Sequence, residues 1–412
     1  MVYLKPLNLF LKMKAKNRRN IPIGTLSIGP LAKKLIRKTL DENRLSYGPL
    51  SERFESDFAK VHDSKFSIFT VSGTSALQIA LHTLKSIHNW ADGDEVLVPS
   101  VTFIATSNVI ITNGLRPVFV DVEPNTYNID AKQIEKHITS KTRAIIPVHL
   151  FGLPADMDEI NRIAKKHKLK VIEDSCETMG VNYRSRSVGS LGDIGCFSTY
   201  VAHVLTTGVG GLATTSNPKY AIKMKSLMNH GRDSIYLSID DDDKVAESNK
   251  KEAFKLVSRR FSFVDVGYSY RLTEMEAALG IEQLTKLSSF VKKRVSNAKF
   301  LIKNLSKHSG SLRLPTILDD RGHSFLGFPI TITDKKIKRA DLIMHLEERG
   351  IETRYAMPLI NQPIYRKLFG NLDAQYPVAK HINDNGFYIA CHPGLSKEDL
   401  LYIIKAFDDF LI

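Results

Sequence analysis

Cysteine is scarce. Among 412 residues only Cys176, Cys196 and Cys391 occur, and no pair has the CxxC spacing of a metal or redox motif. So few thiols exclude a disulfide-built scaffold and suit a reducing, cytoplasmic compartment. They also exclude an iron–sulfur cluster held by this chain's cysteines alone, whose ligand set is larger. Long apolar runs are missing as well. The basic N-terminus has a short apolar stretch at residues 7–11, too short for a signal-peptide core, and no later run reaches transmembrane length. Stable membrane insertion is therefore not expected, and the N-terminus reads as a docking or disordered arm. Zinc-finger and RRM signatures are absent and basic residues are dispersed, which argues against nucleic acid as a partner.

What the chain does have is positive charge. A formal net charge of +14, with 43% hydrophobic and 25% charged residues, belongs to an ordinary folded protein whose surface attracts anions such as a phosphorylated small molecule. The length suits one large domain and a smaller one. From about residue 26 to residue 188, helical stretches alternate with short apolar runs, the pattern of an α/β domain with a mainly parallel sheet. Residues 95–98, 117–121, 144–149 and 170–174 read as buried strands, and 75–87 and 157–167 have helical spacing. A long helical region, 274–305, with a break around 287–289, leads to a smaller α+β lobe containing a strand at 324–333 and helices at 340–349 and 396–411. We divide the chain into a basic arm (1–24), a large domain (25–285) and a long helix with a small C-terminal domain (286–412). The run Asp240 to Asp243 lies in a polar stretch and reads as a solvated loop, so no metal site is assigned.

In parallel sheets, ligands gather at the carboxyl ends of the strands. Two features fall there. Val71-Ser-Gly-Thr-Ser-Ala76 opens a helix through a small-residue turn, which offers backbone N–H groups to a phosphate. Asp174 closes the strand 170–174, where its carboxylate either faces a ligand or caps the next helix.

The segment Gly192-Asp-Ile-Gly-Cys-Phe-Ser-Thr-Tyr-Val-Ala-His203-Val-Leu-Thr-Thr-Gly-Val-Gly-Gly211 resembles the active-site segment of the DegT/DnrJ/EryC1/StrS sugar aminotransferases, with a histidine where they carry the cofactor lysine. Lysine serves there because its amine holds pyridoxal phosphate (PLP) as a Schiff base. Imidazole cannot, but it takes and gives protons near neutral pH. A histidine at this position, together with Glu173-Asp-Ser-Cys-Glu177, Asn229-His-Gly-Arg-Asp233 and Gly350-Ile-Glu-Thr-Arg354, is similar to the family's subgroup of nucleotide-sugar 3-dehydratases.

The resemblance implies a PLP-dependent transferase of fold type I, working as a homodimer with each site at the subunit interface. It places Gly73, Thr74 and Ser198 at the cofactor phosphate, Phe103 on the pyridine ring and Asp174 at the pyridine nitrogen, and counts Glu177 among the cofactor-binding residues. Ser269, in Gly267-Tyr-Ser-Tyr-Arg271, takes the place of an asparagine that reaches the partner subunit's cofactor, and Val209 replaces a glutamate in the family's Gly-Glu-Gly-Gly turn. Arg232 and Arg354 are assigned to a carboxylate or diphosphate of the substrate. The implied activity is removal of the C3 hydroxyl from a nucleotide-linked 4-keto-6-deoxyhexose, with His203 as the proton-transfer catalyst and L-glutamate regenerating the pyridoxamine phosphate (PMP) form. Two alternatives stand: a 4-aminotransferase that recruits Lys223 or Lys225, and a catalytically silent homologue in which His203 is structural.

Overall fold

A computed structural model describes residues 19–233, 250, 251, 254, 261–357 and 359–411. The apolar stretch at 7–11 and the Asp240 to Asp243 run lie outside the described residues.

Helices α1 (Pro30–Asp41) and α2 (Pro49–Val61) lead into β1 (Phe66–Thr70), α3 (Gly73–Ile87), β2 (Glu95–Pro99), α4 (Ile104–Thr112), β3 (Arg116–Val120), β4 (Thr142–Ile145), α5 (Met157–His167) and β5 (Lys170–Asp174). A short hairpin, β6 (Asn182–Tyr183) and β7 (Arg186–Ser187), precedes β8 (Ile194–Ser198), β9 (Gly211–Thr215) and α6 (Pro218–Met228). Seven strands form one sheet in the order β1-β9-β8-β5-β4-β2-β3. Only β9 runs against its neighbours; the β8-β5-β4-β2-β3 ladder is parallel throughout. Both faces of such a sheet are covered, so its strands are apolar without alternation. β2 shows why: Val96 and Val98 enter one core with Ile79, Leu84 and Ile110, while Leu97 enters the other with Phe58, Ile145 and Val171.

The expected strand at 144–149 leaves the ladder after Ile145. Pro147 has no N–H to give a central strand, and the chain continues extended, with Val148 bridging to Asp174. The expected break at 287–289 is also absent. Helix α7 (Glu274–Leu305) is continuous, because Leu287 is buried against the core and Ser289 ties its hydroxyl to the Lys286 carbonyl at 2.7 Å instead of competing with the helix.

The remainder comprises β10 (Leu312–Arg313), β11 (Gly327–Ile332), α8 (Arg339–Glu348), β12 (Thr353–Tyr355), α9 (Pro363–Phe369), α10 (Pro377–Asn385), β13 (Gly386–Ala390) and α11 (Lys397–Leu411). Its strands form an antiparallel sheet, β10-β11-β13-β12, over a third core that includes Phe328, Phe387 and Phe407. No helix among the described residues is long and apolar enough to cross a membrane.

Candidate active site

Four chain segments meet at the carboxyl ends of the central strands: the end of β5, the end of β8, the start of α3 and the start of α4. They enclose a cavity of about 440 Å³ whose wall includes Gly73, Thr74, Phe103, Asp174, Glu177, Ser198 and His203. Seven of the ten residues singled out from sequence are thus brought together. Ser269, Arg232 and Arg354 are not. Ser269 lies on an exposed segment bridged to Asn229, Arg232 packs its guanidinium over the Phe263 ring, and Arg354 on β12 is ion-paired with Glu352.

The start of α3 is built for close approach. Ser72 caps the helix by accepting the Ser75 N–H at 3.0 Å, and the first-turn N–H groups behind it have no intrahelical acceptor. Gly73 is pressed against the opposite wall: a Cβ there would stand 2.7 Å from Cys176 Sγ and 2.8 Å from Ser198 Cβ. The result is a polar cradle of Gly73, Thr74 and Ser198 at a helix N-terminus, suited to a phosphate.

Asp174 is buried but is not a helix cap. Its Oδ2 accepts from Thr106 Oγ1 at 2.8 Å and its Oδ1 from the Cys176 N–H at 3.1 Å. Burial raises its pKa, against the lowering effect of those two donors. Glu177, three residues on, accepts from the Phe151 N–H at 2.7 Å, and burial, aided by the nearby Asp174 charge, pushes its carboxyl up to about 7. Phe151 holds this N–H in place from a left-handed backbone, φ 54°.

Behind Asp174, Glu173 gathers four donors: His149 Nε2 at 3.0 Å and the N–H groups of Gly189, Leu191 and Gly192 at 2.7–2.8 Å. This carboxylate pins the loop that leads into β8, and so sets where Ser198 and the His203 segment emerge.

His203 lines the cavity, and its backbone N–H donates to the Tyr200 carbonyl at 2.8 Å. Burial lowers its imidazole pKa to about 4, with the Arg294 charge pushing the same way, so the ring is neutral at pH 7. Its Nδ1 is buried without a hydrogen-bond partner. No lysine stands among the described residues of the cavity wall. Lys223 and Lys225 are engaged elsewhere, Lys223 with Asp265 and Lys225 with Glu55 at 3.2 Å.

Sequence reasoning missed Thr106, and it missed the wall contributed by Leu326, Met357 and Tyr388 of the smaller lobe. Thr106 carried a usable signal, since it follows Phe103 by one helical turn and so shares its face. The other three carried none, because only the packing of the lobe against the sheet brings them to the cavity.

The family described as the DegT/DnrJ/EryC1/StrS aminotransferase family matches residues 27–408. The dTDP-4-dehydro-2,6-dideoxy-D-glucose 3-dehydratase of Saccharopolyspora spinosa is 33% identical, over 90% of this chain and 82% of its own. The GDP-perosamine synthase of Caulobacter vibrioides is 32% identical, over 89% of this chain and 91% of its own. The solved structure of E. coli GDP-4-keto-6-deoxy-D-mannose-3-dehydratase with bound hydrated PLP superposes with a TM-score of 0.85 at 28% identity, covering 95% of this chain and all of that one.

Proposed function

This chain belongs to the DegT/DnrJ/EryC1/StrS aminotransferase family, and we propose that within it the chain is a 3-dehydratase that removes the C3 hydroxyl of a nucleotide-linked 4-keto-6-deoxyhexose. Its fold is that of the PLP-dependent transferases of fold type I, and PLP is its cofactor. The cavity fits that group: Gly73, Thr74 and Ser198 would hold the phosphate, Phe103 the ring face and Asp174 the pyridine nitrogen. When bound, the cofactor supplies a protonated ring that accepts electrons from the substrate.

The observation that carries the reading is a neutral histidine, with no lysine, among the described residues of the cavity wall. His203 can take a proton and return it, which elimination of a hydroxyl requires. It cannot form the covalent amine link through which a lysine displaces an aminated product. Glu177, with its carboxyl raised to about 7, is about half protonated at neutral pH and so offers a second proton-exchanging group on the same wall. L-Glutamate would supply the amine that prepares the site for each turnover. That Ser269 is exposed and outside this chain's cavity supports a role for it in the site of a second subunit, and with it a homodimer as the working unit.

The likeness to the perosamine synthase favours a second reading, a 4-aminotransferase. That reading requires a lysine at the cofactor. One titration separates the two: purified protein is mixed with PLP, then with L-glutamate, and followed by absorbance, with borohydride trapping and His203→Lys in parallel. The dehydratase reading expects PLP to bind without a reducible protein adduct and glutamate to convert it to PMP, with the adduct appearing in His203→Lys. A borohydride-fixed lysine in the wild type would replace it with the aminotransferase, and no cofactor binding would leave a silent homologue.

A further inference from the structure

Asp174 does not stand alone at the end of β5. Thr106 and Thr102, both on the turn that carries Phe103, are buried to 1% and 2% exposure and line the same cavity. Thr106 Oγ1 lies 2.8 Å from Asp174 Oδ2, 2.9 Å from Thr102 Oγ1 and 3.1 Å from the Phe103 carbonyl. A hydroxyl has one hydrogen to give, and an ionised carboxylate is the strongest of these acceptors. The proton of Thr106 therefore goes to Asp174, and the Thr106 oxygen is left to accept from Thr102.

We infer that Thr106 is a positioning residue for the cofactor, orienting Asp174 through a chain of hydroxyls that runs Thr102 to Thr106 to Asp174. The inference rests on the proposed role of Asp174 at the pyridine nitrogen. Its logic is geometric. Asp174 Oδ1 is held by the Cys176 N–H of its own loop, a contact that fixes one oxygen and leaves the carboxylate plane to swing. Thr106 fixes the other oxygen from a different element. Because Phe103 is the N-cap residue of α4 and Thr106 lies in its first turn, the ring that would face the cofactor and the hydroxyl that aims the carboxylate move as one unit. Thr106 also opposes the burial that raises the Asp174 pKa, helping keep the carboxylate ionised. Chains of hydrogen bonds polarise one another in a dry interior, so Thr102 strengthens the bond it does not itself make.

The test uses Thr106→Val, which removes the hydroxyl at nearly constant volume, Thr106→Ser, which keeps it, Thr102→Val and the control Asp174→Asn. Three quantities are read: PLP affinity by fluorescence, the pH dependence of the bound cofactor's absorbance, and titration of the Asp174 carboxyl by ¹³C NMR in cofactor-free protein. Thr106→Val should weaken PLP binding about tenfold, the worth of one hydrogen bond to a charged group. It should also raise the Asp174 titration midpoint and shift the absorbance profile, while Thr106→Ser stays within about twofold of wild type in affinity.

A folded Thr106→Val with wild-type affinity and Asp174 titration would overturn the inference, as would failure of Thr106→Ser to restore both. Should Thr106→Val not fold, Thr102→Val decides: an Asp174 midpoint unmoved in that variant removes the relay, and a raised one supports it. If Asp174→Asn binds PLP as tightly as wild type, the cofactor role of Asp174 fails. The titration in cofactor-free Thr106→Val still reports on the hydroxyl chain by itself.

Discussion

Gly73 sets the width of the phosphate cradle. The start of α3 lies so close to β8 and to the loop after β5 that one methyl group would collide with Cys176 and Ser198 together, and the Ser198 Cβ and Cα are fixed to the strand and cannot swing aside. Gly73→Ala should cost about 1–3 kcal/mol of stability, as overpacking does, and weaken PLP binding at least about tenfold by forcing the helix start away from Ser198. Urea unfolding and a PLP titration on the same variant check both halves; unchanged PLP affinity would mean that the cradle does not hold the phosphate. Gly73, Asp174 and His203 were legible in sequence because each sits in a local pattern with its own chemistry: a small-residue turn before a helix, a carboxylate closing an apolar run, a substitution inside an otherwise matching segment. Tyr388 was not legible. Nothing within β13 distinguishes it from a core tyrosine, and its place in the cavity wall is fixed by how the lobe seats on the sheet. Arg232 and Arg354, assigned to a substrate carboxylate or diphosphate, lie outside the wall of this cavity; their local motifs named the residues without indicating where in the fold they stand.

Elements hold the site through a few buried carboxylates. Glu173 is the clearest, joining the end of β5 to the loop before β8 by three hydrogen bonds and to His149 by a fourth, with no exposure of its side chain. Truncating it strands three backbone N–H groups and the His149 ring in the interior, each costing about 1–3 kcal/mol when unsatisfied. Glu173→Ala is therefore expected to lower the unfolding free energy by at least about 3 kcal/mol, measurable as a lower denaturant midpoint, whereas Glu135→Ala on the surface should leave that midpoint close to wild type. The parallel strands and helix α5 were legible at this scale because a run buried on both faces and a strongly two-sided helix each leave an unambiguous period. Helix α7 was read as broken because Leu287-Ser-Ser289 interrupts the spacing. The local signal lost there to a capping box at Thr273 and to burial of Leu287 from outside the helix. Helices α1 and α2 went unread: each opens with proline at its first position, and their apolar faces make sense only once packed, α1 against α7 and α2 against α7 and β1.

Across the whole molecule, acid sensitivity should follow from histidines folded in their neutral form. Burial lowers the pKa of His62, His203 and His392 to about 4 and of His323 to about 3. Between pH 4 and pH 6.5 the unfolded chain therefore binds more protons at these four positions than the native state, so stability rises with pH through that window and is lost as pH falls through it. Glu177 works the other way: its carboxyl, raised to about 7, binds its proton more tightly when folded and favours the native state as pH drops from 7 towards 4.5. Asp174, whose carboxyl pKa burial also raises, acts in the same direction as Glu177; four groups outweigh two, and the net expectation is a fall in the urea midpoint from pH 6.5 to pH 4.5. His62 is the position at which to test this. It is fully buried, stacks on Phe58 at 4.2 Å, and keeps Nε2 without a partner, so an apolar replacement removes a liability along with the titration. His62→Leu should reduce the dependence of unfolding free energy on pH by about 1.4 kcal/mol per pH unit in the middle of the window, the value for one proton. A slope identical to wild type would mean that His62 accepts its proton in the native state, and that the interior around Phe58 and Phe197 opens to water before the molecule unfolds.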